Sequence, residues 1–209
     1  MDELISRILE LKRSEVGAEV RRRVREFRAL NLKGNREWFS ELCFCILTAN
    51  ATAESGMRAQ ALIGANGFLE LPEKDLAREL RRSGYRFPES RAKYIAEARK
   101  KWRIKDVLQG FKDPSEARVW LVENIIGIGW KEASHFLRNV GYLDFAILDR
   151  HILSIFCQHG LIDRIPRYLS KRVYLEIEKK AEDLAGKVGM KLGELDLYLW
   201  CMKTGKVLK

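Results

Sequence analysis

Ile125-Ile126-Gly127-Ile128-Gly129-Trp130-Lys131-Glu132-Ala133-Ser134 is the stretch on which the reading of this chain turns. It has the form of two helices joined by a tight Gly-x-Gly turn. A helical run from Pro114 to Asn124 precedes it. Another follows from Trp130 to Val140, with Ala133, Phe136, Leu137 and Val140 at i, i+3, i+4, i+7 spacing. Two glycines two apart let the backbone turn sharply and pass close to a neighbour. The amides of Ile128 to Lys131 are then expected to face outward at a helix start, where they make an anion site. A backbone phosphate of DNA suits such a hairpin.

Lys131 falls in the first turn of the second helix, where the helix dipole disfavours positive charge. It is either a solvated surface lysine or an amine poised as a nucleophile beside bound DNA. Further on, Leu148-Asp149-Arg150-His151 puts Asp149 at the N-cap of a helix expected from Arg150 to Gln158.

Gly127-x-Gly129-x-Lys131 followed by Asp149 resembles the helix-hairpin-helix superfamily of DNA glycosylases. Within it the whole chain is similar to the short, archaeal-type 8-oxoguanine DNA glycosylase/lyases. The narrower likeness rests on Phe44-Cys45-Ile46-Leu47-Thr48-Ala49-Asn50, Gly84-Tyr85-Arg86-Phe87-Pro88, and the terminus from Asp196-Leu197-Tyr198-Leu199-Trp200 to Lys209. The resemblance implies a base-excision repair enzyme that flips 8-oxoguanine out of duplex DNA and cuts the resulting abasic site. Lys131 is then the Schiff-base nucleophile and Asp149 the assisting carboxylate. Phe87, Asp196, Trp200 and Lys209 belong to the base pocket. Gly127, Ile128, Gly129, Trp130 and His135 lie on the DNA, and Asn50 enters the duplex near the base left behind. The chemistry requires no metal or cofactor, although relatives often hold a monovalent cation through hairpin carbonyls, here around Glu123, Ile125 and Ile128.

The base chemistry fits those residue types. An enzyme group cannot reach a base inside the stack, so the base is flipped into a pocket. There an aromatic ring stacks on it, worth about 1–3 kcal/mol; Phe87 and Trp200 are the candidates. 8-Oxoguanine differs from guanine at N7, an N–H donor instead of an acceptor, so selection needs an acceptor aimed there. The Asp196 side chain and the α-carboxylate at Lys209, where the chain ends without a tail, are the two on offer.

The chain has 209 residues, 46% hydrophobic and 33% charged, with a formal net charge of +10. That length supports one large domain or two small lobes. So basic a balance points to a polyanion, nucleic acid first. No apolar run has the length of a membrane span, and Met1-Asp2-Glu3-Leu4 lacks signal-peptide form. A cytoplasmic monomer is expected. The four cysteines, Cys43, Cys45, Cys157 and Cys201, have neither zinc nor iron–sulfur spacing. They read as buried thiols, and the missing cluster argues against the endonuclease III branch.

In chain order, a helix from Leu4 runs to about Leu30, with a break near Gly17. Its Arg21-Arg22-Arg23 cluster reads as a solvated face. Trp38, Phe39, Leu42, Cys43 and Ile46 form an apolar helix face ending at Thr48-Ala49-Asn50-Ala51. Thr52, Asp113 and Ser170 are expected caps, Pro72 is placed as a first helical residue, and Gly84, Gly141 and Gly160 as helix stops. Gly189 and Gly193 flank a break before the last helix. His135, besides its possible DNA contact, reads as a polar surface residue, and His151 follows Asp149 closely. No strand, repeat or low-complexity tract is present. The expectation is all-α: residues 33–143 as one helical lobe ending in the hairpin, 1–32 with 144–209 as the other, and the hairpin and Asp149 at the cleft between them. Two other readings stand beside the enzyme: a non-catalytic DNA-binding protein using the hairpin as a phosphate clamp, and a glycosylase for another oxidised base.

Overall fold

The computed structural model describes residues 1–209 and is all-α: twelve α-helices and one 3-10 turn, with no strand. It divides into two compact units, Met1–Arg28 with Gly141–Lys209, and Ala29–Val140.

The Ala29–Val140 unit contains α3 (Asn35–Thr48), α4 (Ala53–Glu70), α5 (Glu73–Arg82), α6 (Pro88–Ala98), a 3-10 turn (Arg99–Lys101), α7 (Ile104–Gln109), α8 (Pro114–Asn124) and α9 (Trp130–Asn139). It is built round α3, where every residue from Trp38 to Thr48 is buried. The sequence marks one apolar face there; the structure covers all sides, against α4, α6, α7 and α9. A helix that is apolar all round belongs in a core. Its one buried charge, Glu41, is satisfied by its neighbours. Asn139 Nδ2 of α9 donates to one carboxylate oxygen at 2.7 Å, and Gln60 Nε2 of α4 to the other at 3.2 Å. Arg138 in turn donates to Asn139 Oδ1 at 2.8 Å. A buried carboxylate needs such partners, and this set ties α9 to the unit's central helix.

The other unit holds α1 (Asp2–Arg13), most of α2 (Glu15–Asn31), α10 (Arg150–Gln158), α11 (Lys171–Val188) and α12 (Leu192–Thr204). Leu4, Ile8, Val20, Tyr174, Ala181, Leu184, Leu195 and Tyr198 are at most 1% exposed and form its core. Lys12 Nζ donates to the carbonyls of Val188 and Gly189 at 3.0 and 3.2 Å. This closes the C-terminus of α11 with the charge its dipole favours.

Several local expectations shift. The α1–α2 break lies at Ser14, not Gly17. Ser14 Oγ donates to the Leu11 carbonyl at 2.8 Å and accepts from the Val16 amide at 3.2 Å. Gly17 is inside α2, where its bare Cα packs against the Lys12 carbonyl at the corner. Pro72 is the N-cap of α5 instead of its first residue. Gly193 lies within α12, so the gap before that helix runs from Gly189 to Lys191. The arginine cluster is a solvated face only in part: Arg21 and Arg22 are exposed, with Arg22 paired to Glu19 and Glu26, whereas the Arg23 side chain, paired to Glu26, is only 15% exposed. Thr52, Asp113 and Ser170 accept N-cap hydrogen bonds as expected. All four cysteines are free; Cys157 is only half-buried, while burial pushes the Cys43 thiol well above its usual range.

Gly17→Ala tests the corner. The added methyl meets a backbone carbonyl that cannot swing aside, so unfolding free energy should fall by about 1–3 kcal/mol, measured by urea denaturation.

Candidate active site

The hairpin between α8 and α9 is a turn closed by the Ile128 amide donating to the Ile125 carbonyl at 3.2 Å. Gly127, third of the four residues, has φ +87°, the value that favours glycine at that position of a type II turn. A Cβ there would lie 2.7 Å from Tyr94 Cδ2 of α6. Gly127 is therefore required twice, for its angle and for its closeness to Tyr94. Gly129 differs: its backbone is extended (φ −99°) and it serves as the N-cap of α9. Ile125 and Ile128 are 3% and 5% exposed and anchor the turn, whereas Ile126 is 56% exposed at its tip.

This geometry corrects the expected anion site. The Ile128 amide is spent on the turn, and the Gly129 amide donates to Glu132 Oε2 at 3.3 Å. The outward-facing amides therefore begin in the first turn of α9, with Trp130 and Lys131, which have no acceptor within their own helix. The Arg118 guanidinium stacks on the Trp130 ring at 4.9 Å. Lys131 is 24% exposed at its side chain, and its Nζ lies 2.9 Å from Glu132 Oε1. Lys101 Nζ donates to the Asn124 carbonyl at 3.0 Å, adding positive charge where α8 ends. His135 is not a surface residue: it is 7% exposed and meets Phe44 edge-on at 5.6 Å.

Two more of the expected residues share this unit. Asn50 has φ +60°, the one non-glycine residue with a positive value, and lies exposed at the end of α3. Its loop is held from one direction: Arg91 donates to the Ala49 carbonyl at 2.6 Å, and Tyr85 donates to that of Leu47. These are last-turn and following carbonyls that a helix leaves without partners. Phe87, half-buried at the N-cap of α6, carries the Arg86 and Arg91 guanidinium groups at 4.9 and 5.8 Å from its ring centre. Arg91 also stacks on Tyr94 at 5.3 Å. One face of α6, with Arg91 and Tyr94 three residues apart, thus links the Asn50 loop, Phe87 and the Gly127 turn.

Asp149, in the other unit, caps α10 as expected. Its Oδ1 accepts from the amides of His151 and Ile152 at 2.8 and 2.9 Å, leaving Oδ2 outside the capping pair. The segment before it is fastened to α11. Tyr174 Oη donates to the Ala146 carbonyl at 2.7 Å and accepts from the Leu148 amide at 3.3 Å. Glu178 accepts from the Ala146 amide at 2.9 Å. His151 meets Trp200 of α12 edge-on, ring centres 5.0 Å apart. Asp149, His151 and Trp200 are thereby brought together within one unit. Asp196 is partly exposed on the same helix, and Lys209 is partly exposed at the end of the chain.

From the sequence Arg91 reads only as added positive charge and Tyr174 only as part of an apolar helix face, and Tyr94, Glu132 and Glu178 carry no assigned role. Glu132 alone carried a readable signal, a glutamate three residues after the N-cap; the others act across long sequence separations.

The two hairpin glycines should respond differently to a methyl group. Gly127→Ala strains φ and collides with Tyr94, lowering stability by about 1–3 kcal/mol and weakening duplex binding in a fluorescence-anisotropy titration. Gly129→Ala, in an extended backbone that any residue adopts, should cost less in both measurements.

Comparison with known proteins follows the same lines. A sequence profile described as 8-oxoguanine DNA glycosylase matches residues 20–190. The chain is 54% identical over 206 residues to the 8-oxoguanine DNA glycosylase/AP lyase of Methanocaldococcus jannaschii, covering 99% of both chains. It is 44% identical over 210 residues to that of Korarchaeum cryptofilum, covering 100% of this chain and 99% of the relative. The crystal structure of the M. jannaschii glycosylase/lyase in complex with 15mer DNA containing 8-oxoguanine matches with a TM-score of 0.97 at 53% identity, over 99% of this chain and 100% of that one. The 8-oxoguanine DNA glycosylase of Thermotoga maritima matches with a TM-score of 0.94 at 45% identity, over 100% and 99%. A profile match over most of the chain and full-length identities of this size show that the chain belongs to the 8-oxoguanine DNA glycosylase family.

Proposed function

We propose that the chain removes 8-oxoguanine from duplex DNA and then cuts the strand at the abasic site, working as a monomer. The observation that carries this reading is Lys131: an amine in the first turn of α9, directly after the Gly127 turn, in a chain whose full-length relatives are named 8-oxoguanine DNA glycosylase/AP lyases. A phosphate clamp alone needs no amine there.

The first-turn amides of α9 receive a backbone phosphate and set the register without reading sequence. Asn50, rigidly presented, fills the space in the duplex, and Phe87 and Trp200 hold the flipped base. Asp196 and Lys209 contact the edge of the base. The neutral Lys131 amine attacks C1′; the bond from C1′ to the base breaks, and the base departs with the electron pair and takes up a proton. Asp149 stabilises the positive charge that develops on the sugar and accepts the proton that Lys131 must lose. The C1′–O4′ bond then breaks, O4′ leaves with the electron pair and takes up a proton, and a protonated imine is left on Lys131. That cation acidifies C2′–H. Loss of this proton forms the C2′=C3′ bond and expels the 3′ phosphate, which cuts the strand.

Lys131→Gln should fold and bind DNA but give neither borohydride-trapped adduct nor strand cleavage; an adduct at native yield would rule the assignment out. Asp149→Asn keeps a good capping side chain and removes the charge. Its turnover should fall by about two orders of magnitude or more while its melting temperature stays near the native value. Full activity would leave Asp149 as a cap only. Deleting Lys209 should slow base removal and spare cleavage of a ready-made abasic site. Equal loss of both activities would contradict a role confined to the base.

A further inference from the structure

The Glu132 side chain joins the hairpin to the proposed nucleophile. One carboxylate oxygen accepts from the Gly129 amide at 3.3 Å, and the other lies 2.9 Å from Lys131 Nζ. Successive residues on a helix do not face one another. This pair meets because the capping turn folds the Glu132 side chain back over the N-terminus of α9, within reach of Lys131. It also differs from the ion pairs on the surface. The Lys131 and Glu132 side chains are 24% and 14% exposed, against 87% and 57% for Arg172–Glu176. Exposed pairs are screened by water and salt; a pair mostly withdrawn from water interacts more strongly.

Resting on the reading of Lys131 as nucleophile, we propose that Glu132 is a second carboxylate of the reaction, acting directly on the amine nitrogen. Positive charge appears on that nitrogen twice after attack. It is present first in the amine–sugar adduct, before its proton is lost, and again in the protonated imine from which the strand is cut. At both stages a carboxylate oxygen at hydrogen-bond distance stabilises the cation, and it is supplied by the helix that carries the lysine. The same contact holds a flexible four-carbon side chain in one orientation, anchored through the other oxygen to the Gly129 backbone. Glu132 transfers no proton in this scheme; it remains ionised throughout.

The experiment uses a duplex with a ready-made abasic site, so that base removal does not enter. Glu132→Gln preserves an oxygen for the Gly129 amide but presents an N–H₂ group, not a charge, to Lys131. At saturating DNA, its single-turnover rates of borohydride trapping and of strand cleavage should each fall about 10–100-fold. Its duplex dissociation constant should stay within about threefold of native, and its melting temperature should hold. Glu132→Ala loses both contacts; it should show the same loss of rate together with a lower melting temperature. Rates for Glu132→Gln within twofold of native, or faster, would overturn the proposal and leave Glu132 as a helix cap. Lys131→Gln runs alongside as the control: an adduct in that variant removes the nucleophile reading itself. No adduct there, with native rates in Glu132→Gln, removes only the role of Glu132.

Discussion

The hairpin depends on one backbone angle, the φ of +87° at Gly127. Only with that angle does the chain reverse quickly enough for Ile128 to bond Ile125 and for α9 to begin at Trp130. The turn is not a free loop. It presses on Tyr94, Tyr94 stacks on Arg91, and Arg91 reaches the carbonyl beside Asn50. α9 itself is tied to the core helix α3 through Asn139 and Glu41. A displacement at the hairpin is therefore resisted at both ends, by α6 and by α3. Held elements of this kind give a site its precision, since a nucleophile or stacking ring misplaced by an ångström loses much of its rate.

The other unit secures its part by a different device. Asp149 sits at the end of a stretch with no regular structure, and such a stretch must find partners for its backbone groups. Tyr174 and Glu178, one turn apart on α11, supply them at Ala146 and Leu148. Oδ1 of Asp149 then starts α10, fixing the side chain's orientation through two amides. A carboxylate held this way cannot turn aside without unmaking a helix start.

Much of this was legible in the sequence because it rests on local rules. The Pro114–Asn124 and Arg150–Gln158 helices, their caps at Asp113 and Asp149, and the left-handed stops at Gly84, Gly141 and Gly160 each follow from a few adjacent residues. The structure departs from these local rules where a local cue has a tertiary use. Gly17 resembles a helix breaker, yet it is a packing glycine, and Ser14 makes the break. His135 looks polar, yet it lies under Phe44. Gly64 interrupts α4 with φ +68°, without a Pro or turn signal beside it. Of the hairpin amides expected to face outward, those of Ile128 and Gly129 are used by the turn and by Glu132, which depends on where one carbonyl and one carboxylate fall in space. The partners of Arg91, Tyr94, Tyr174 and Glu178 are hidden for the same reason: each lies far away in sequence, and no periodicity records it.

In the proposed reaction the amine on α9 forms the bond to the sugar. Reduction of the enzyme–DNA intermediate with borohydride, nuclease digestion and peptide mass spectrometry locate that bond on a single residue of the native protein. The sugar remnant should appear on Lys131, in the peptide that begins the second hairpin helix. A remnant on any other lysine or on the N-terminal amine, with Lys131 unmodified, would contradict it.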